Sequence, residues 1–204
     1  MKKIFLLTCL GMGCLYQVHA QDLPPVAVAP AATSTESVYR PVRLLLGGAL
    51  EFGGDDVATV YFTNGQSQKV NAGQGGSVAV GAEFGFKALE RFRLRTTVGY
   101  KYVTTQADNA HIRLTRVPLH FTANWMPTDK IRLGAGLVTH RAVNLNADGI
   151  GENMKFDAAT GPIIEVAYRG VGLSYTIMEY KDRLNNIYSA NAIGLTISGV
   201  LPKR

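Results

Sequence analysis

Apolar and polar positions alternate one for one over residues 92–105, FRLRTTVGYKYVTT. Phe92, Leu94, Thr96, Val98, Tyr100 and Tyr102 share one side of a strand, and Arg93, Arg95, Thr97, Gly99, Lys101 and Val103 share the other. One face is apolar with aromatic ends; the other is small or cationic. A soluble sheet buries its apolar face in a core of its own chain, whereas an outer-membrane barrel turns that face to lipid and keeps charge inside.

The alternation recurs over 43–52, 77–86, 111–125, 131–141, 158–168, 171–181 and 190–201. Eight segments of about ten residues match tilted membrane-crossing strands. An even antiparallel set closes without edges. The expected fold is therefore all-β, an eight-stranded antiparallel transmembrane β-barrel. Within 111–125, Val117, Leu119, Phe121, Ala123 and Trp125 read as outward, but Ile112 and Leu114 have the opposite phase. A one-residue bulge near Thr115 would reconcile the two halves.

The connections carry a second pattern. Short turns at 87–91, 126–130 and 169–170 alternate with longer polar loops at 53–76, 106–110, 142–157 and 182–189. That asymmetry belongs to outer-membrane barrels, with short turns and both termini on the periplasmic side. Phe86, Phe92, Trp125 and Tyr168 gather at the short-turn rim, and Phe52, Tyr100 and Tyr102 near the other, two aromatic girdles at headgroup level. Residues 59–72 read as a hairpin with an Asn64-Gly65 turn, too short to span and expected to extend into the medium.

Composition adds the address. The 204 residues hold one ordinary domain with extras, and 47% are hydrophobic at a mean hydropathy of +0.06. Lys2, Lys3, the apolar stretch 4–16 and Val18-His19-Ala20 read as a signal peptide over 1–20. Cys9 and Cys14 lie inside it; Gly13-Cys14 as a lipidation site is the alternative processing. Residues 21–42, rich in Pro, Ala, Val, Ser and Thr, read as a flexible periplasmic linker, and 43–204 as the barrel domain. Formal charge is +6, falling to +4 without Lys2 and Lys3, with no basic run of the kind that binds nucleic acid.

Facing inward on the alternation are Arg43, Glu51, Glu83, Arg93, Arg95, Lys101, Arg116, His120, Arg132 and Glu165. An eight-strand barrel is just wide enough for side chains to fill it, so these should form a lumen charge network in which arginines hold Glu83 and Glu165. The sharper reading is a leak for ions when pairs rearrange. His111 and His140, near Asp108 and Asp148 at the loop-side strand ends, are the candidates for a surface hydrolase, with histidine as base, but no triad spacing accompanies them. The acidic, glycine-containing tips 148–153 and 53–56 lack the ordered spacing of a calcium loop, and no zinc cluster, phosphate loop or dinucleotide fingerprint occurs. No cofactor is expected.

Three stretches resemble the small outer-membrane β-barrel family of porin-like, PorT-type proteins and, more distantly, OmpX and OmpA. IRLTRVPLHFTANW places Leu114, Pro118 and Leu119 like that family's Leu-x-x-x-Pro-Leu strand. FDAATGPIIEVAY supplies Phe156, Asp157 and Gly161, and DRLNNI supplies Leu184, Asn186 and Ile187 with Arg183 in place of a glycine. The likeness covers about 43–201. It implies outer-membrane lipid as surroundings and the barrel-assembly machinery as partner during insertion, although the chain ends Leu201-Pro202-Lys203-Arg204 where the family closes on an aromatic.

The leading expectation is a monomeric, non-enzymatic envelope protein whose surface loops meet an extracellular or envelope protein partner, with at most minor solute permeation. The alternatives are a surface-facing lipid- or peptide-modifying enzyme and a soluble periplasmic lipocalin-like binding barrel.

Overall fold

The computed structural model describes residues 40–61, 67–107, 110–149 and 152–202. The expected signal peptide, all but the last residues of the linker, the Asn64-Gly65 turn and Asp108 lie outside the described residues.

Among the described residues thirteen strands are formed: β1 (Val42–Phe52), β2 (Asp56–Tyr61), β3 (Ser67–Asn71), β4 (Gly75–Phe86), β5 (Leu89–Ala107), β6 (Ala110–Trp125), β7 (Ile131–Asn146), β8 (Met154–Phe156), β9 (Ala159–Tyr168), β10 (Val171–Thr176), β11 (Glu179–Lys181), β12 (Ile187–Ser189) and β13 (Ala192–Leu201). Eight of them close a barrel of antiparallel neighbours in the order β1, β4, β5, β6, β7, β9, β10, β13, and β13 pairs back onto β1. Leu44 pairs with Leu201, so both ends of the barrel chain lie at the short-turn end. β1 takes in Val42, which pairs with Phe84 and continues the outward row.

Large apolar side chains from all eight barrel strands are exposed on the outside, including Leu46, Val80, Val98, Phe121, Leu137, Ile164, Leu173 and Leu195. Close passage between strands is bought with glycine at two inward positions. A Cβ on Gly81 would fall 1.9 Å from the Thr96 carbonyl oxygen, and one on Gly161 would fall 1.8 Å from that of Ile177.

Two expectations are corrected. β6 contains no phase flip: Ile112, Leu114 and Arg116 are all buried on the lumen side, in the same parity as Asn124. The single slip in the β6–β7 ladder, between Thr115 and Val117, places the extra residue on β7 near Ala142, whose φ is +50°. Ile112 and Leu114 face inward because the loop end of the lumen is itself apolar. There Val57, Val70, Leu114, Val143, Phe156, Met178 and Tyr180 form a small core.

The expected strand 171–181 is also two strands. The ladder ends at Thr176, opposite Ile163, since Pro162 accepts a hydrogen bond from the Ile177 N–H but has no N–H to return. The in–out alternation runs on through the break, and β11 then pairs with β12.

Candidate functional site

The lumen is filled in layers, each set by strand register. Nearest the short turns, Glu83 on β4 stands directly opposite Arg43 on β1 and Arg95 on β5. Its carboxylate is 1% exposed and pairs with Arg43, with Arg95 at 2.7 Å and with Arg93 at 3.8 Å. Beside this group, Arg132 grips Glu165 through two bonds of 2.8 and 2.7 Å and donates to the Asn124 side chain at 2.8 Å. The Thr196 hydroxyl donates a further 2.7 Å bond to Glu165. A forked, hydrogen-bonded ion pair of this kind offsets the desolvation of both charges far better than a point contact.

Above lies a cavity of about 100 Å³ whose lining mixes His120, Thr97, Thr122 and Ser174 with Leu45, Ile163 and Ile197.

The next layer closes the loop end. Lys101 pairs with Glu51 at 2.8 Å and donates to the Gly73 carbonyl at 2.7 Å. Arg116, fully buried, donates to the carbonyls of Ala72 and Gln74 and to the Tyr180 hydroxyl at 3.3 Å. Among the described residues no carboxylate pairs with Arg116, so backbone carbonyl dipoles carry its neutralisation. The Tyr180 hydroxyl lies 2.5 Å from His140 Nδ1. The hydroxyl oxygen accepts from Arg116, and the histidine tautomer sets which of Tyr180 and His140 donates to the other.

The first long loop therefore does not simply extend into the medium. Its hairpin, β2 with β3, sends Val57, Val70 and Ala72 into the apolar core over the barrel mouth, and the chain 72–74 lies across Lys101 and Arg116. Outside this layer, β8, β11 and β12 continue a crown of strands above the barrel, tied to the base of the first loop by the Asp55 N–H on the Ser189 carbonyl at 2.7 Å.

Inward parity is the sequence signal carried by Glu83, Glu165, Lys101 and Arg116, whose side chains the structure places in the lumen. The same signal marks Tyr180, two positions beyond Met178. Nothing in the sequence marks the carbonyls of Ala72, Gly73 and Gln74, since any residue provides them. The hydrolase candidates do not assemble at the rim. His140 is buried against Tyr180 while Asp148 is an exposed turn residue, and the side chain of His111 lies outside the described residues. Among the described residues no group of three or more His, Cys, Asp or Glu is placed to hold a metal.

On the outer wall, Phe92 pairs with Trp125, and Tyr168 with Ile131, at the short-turn rim; Phe86 is exposed at the same end. Phe52, Tyr100 and Tyr102 are exposed towards the loop end, the two tyrosines stacked at 6.5 Å. Between these belts the wall is apolar, and the charges are inside. That is the arrangement a bilayer requires of a closed sheet, and it is the inverse of a lipocalin-like barrel in water. The chain is a closed eight-stranded barrel with a lipid-facing wall.

The solved structures that resemble this barrel include the following two. One is Ail, the attachment invasion locus protein of Yersinia pestis, in complex with the heparin analogue sucrose octasulfate, at 8% identity, covering 78% of this chain and 97% of that one, TM-score 0.41. The other is Neisserial surface protein A (NspA), at 12% identity with the same coverages and TM-score 0.41. No protein-family model and no curated protein matches the chain.

Proposed function

We propose that the barrel is a non-enzymatic envelope protein that works through its loop crown, with a lumen that holds the crown in place rather than conducting solute. The observation that carries this reading is the latch of Lys101 and Arg116 on residues 72–74, which uses two almost fully buried charges to fix a segment of the first long loop. A conducting barrel would spend those charges on a wetted path.

The crown also presents apolar side chains to the outside. Leu184 is 81% exposed on a turn pinned by Asp182, whose carboxylate accepts from the N–H groups of Leu184 and Asn186, each at 2.8 Å. A rigidly held apolar tip loses little entropy on contact with a partner.

A photo-crosslinker placed at Leu184 in cells tests the reading, with the same group at lipid-facing Leu195 as comparison. Protein adducts from the crown and none from the wall are expected. Adducts absent from Leu184 and Ile187 alike, together with stepwise currents from the purified protein in planar bilayers, would overturn it.

A further inference from the structure

The outer wall is not uniform along the short-turn rim. Where β7, β9, β10 and β13 meet, it is indented by an apolar groove of about 360 Å³ lined by Ile131, Val166, Tyr168, Val171, Leu173 and Leu195. At the foot of the groove two turns come together. The Arg169 N–H donates to the Lys130 carbonyl at 2.8 Å, so two exposed cations leave the rim from adjacent points. The Arg169 guanidinium sits 5.5 Å from the centre of the Tyr168 ring, which fixes it beside the groove. Asp129 is the acid nearest in sequence, and among the described residues it forms no ion pair with Lys130 or Arg169.

We propose that groove and cation pair form one binding site for an anionic phospholipid of the periplasmic leaflet. The acyl chain lies in the groove and the phosphate rests between Lys130 and Arg169. The groove is continuous with the lipid-facing wall, so its occupant is a lipid rather than a protein side chain. Two cations with no paired carboxylate exceed what the phosphate of a zwitterionic headgroup neutralises, and this selects a headgroup with net negative charge. Tyr168 at the junction matches the place where aromatic rings meet headgroups.

The sequence contains one tryptophan, and Trp125 stands on β6 at this same rim, one strand from the groove, with Leu133 of β7 as its cross-strand neighbour. It reports the local lipid. The full-length mature barrel is reconstituted in phosphatidylcholine vesicles in which a fixed fraction of lipid is brominated phosphatidylglycerol or brominated phosphatidylcholine. Quenching of Trp125 should show a preference for phosphatidylglycerol of about five-fold for each cation engaged, falling in high salt. The Lys130→Gln/Arg169→Gln variant should bring the preference close to one, and Val171→Phe, which fills the groove with the charges intact, should reduce it.

Lys181→Gln, which removes an exposed cation at the loop end, should leave it unchanged. Retention of the heat-dependent gel shift shows that each variant is folded. Equal quenching by the two lipids in the unsubstituted protein, or a preference that survives the double substitution, would overturn the site. So would a preference lost with Lys181→Gln instead.

Discussion

Lys101 and Arg116 occupy the same rung of the β5–β6 ladder, and both side chains point into the lumen. Like charges directly opposite one another destabilise a sheet. Here each is drawn off to a different partner: Lys101 to Glu51 and Gly73, Arg116 to the carbonyls of Ala72 and Gln74 and to Tyr180. The repulsive pair is stable only while the first loop lies across it.

Arg116→Ala should therefore act on the loop more than on the barrel. Removing several charge-assisted hydrogen bonds should cost about 2–4 kcal/mol of unfolding free energy in micelles. Hydrogen exchange at Val70 and Ala72 should accelerate well beyond that at Val80 in the membrane wall. Uniform acceleration across the barrel would show that the residue supports the wall instead.

Glu83 is the one carboxylate among Arg43, Arg93 and Arg95. Glu83→Gln leaves three guanidinium groups crowded without a counter-charge and should destabilise the barrel by about 3–5 kcal/mol. In a double-mutant cycle Arg95→Met should recover part of that loss, measured by urea unfolding. A cycle with zero coupling would contradict the pairing.

The wall and the lumen should respond oppositely to charge. Val98 points to lipid in the middle of β5, so Val98→Arg should cost about 2–4 kcal/mol and weaken the heat-dependent gel shift. Thr122→Ser, on the lumen side, should leave the shift intact. Equal tolerance at both positions would argue against a bilayer around the wall.

Asp182 makes the crown sensitive to acid. Desolvation pushes its carboxyl up, but the bonds from the Asn186 side chain and from the N–H groups of Asn186 and Leu184 outweigh it and hold the group below its ordinary value. The folded group is thus the stronger acid. Its contribution is full above about pH 4 and is lost as pH falls through the lowered folded value. Amide resonances of Leu184 and Asn186 should shift in that window, and Asp182→Asn should abolish the titration. A midpoint above pH 4 would reverse the sign.

The sequence by itself determined the wall. Period-two alternation, an even strand count and loops of alternating length leave one arrangement with apolar side chains outside and charges inside, because only a closed antiparallel sheet satisfies its backbone in lipid. It also determined that Glu83 and Glu165 face the lumen, since parity fixes the face of every residue in a strand.

Parity misled only where its premise failed. In a lumen lined by polar groups an apolar inward residue is out of place, so Ile112 and Leu114 call for a bulge on the sequence pattern alone. The tertiary structure decided otherwise by folding β2 and β3 over the mouth and making that end of the lumen a dry core. It also decided what holds Arg116, because carbonyl groups from a loop more than forty residues away have no side-chain signature. The pairing of Lys130 with Arg169 at the foot of a groove is of the same kind. Local pattern sets which way a side chain points, and only closure of the barrel sets what it meets.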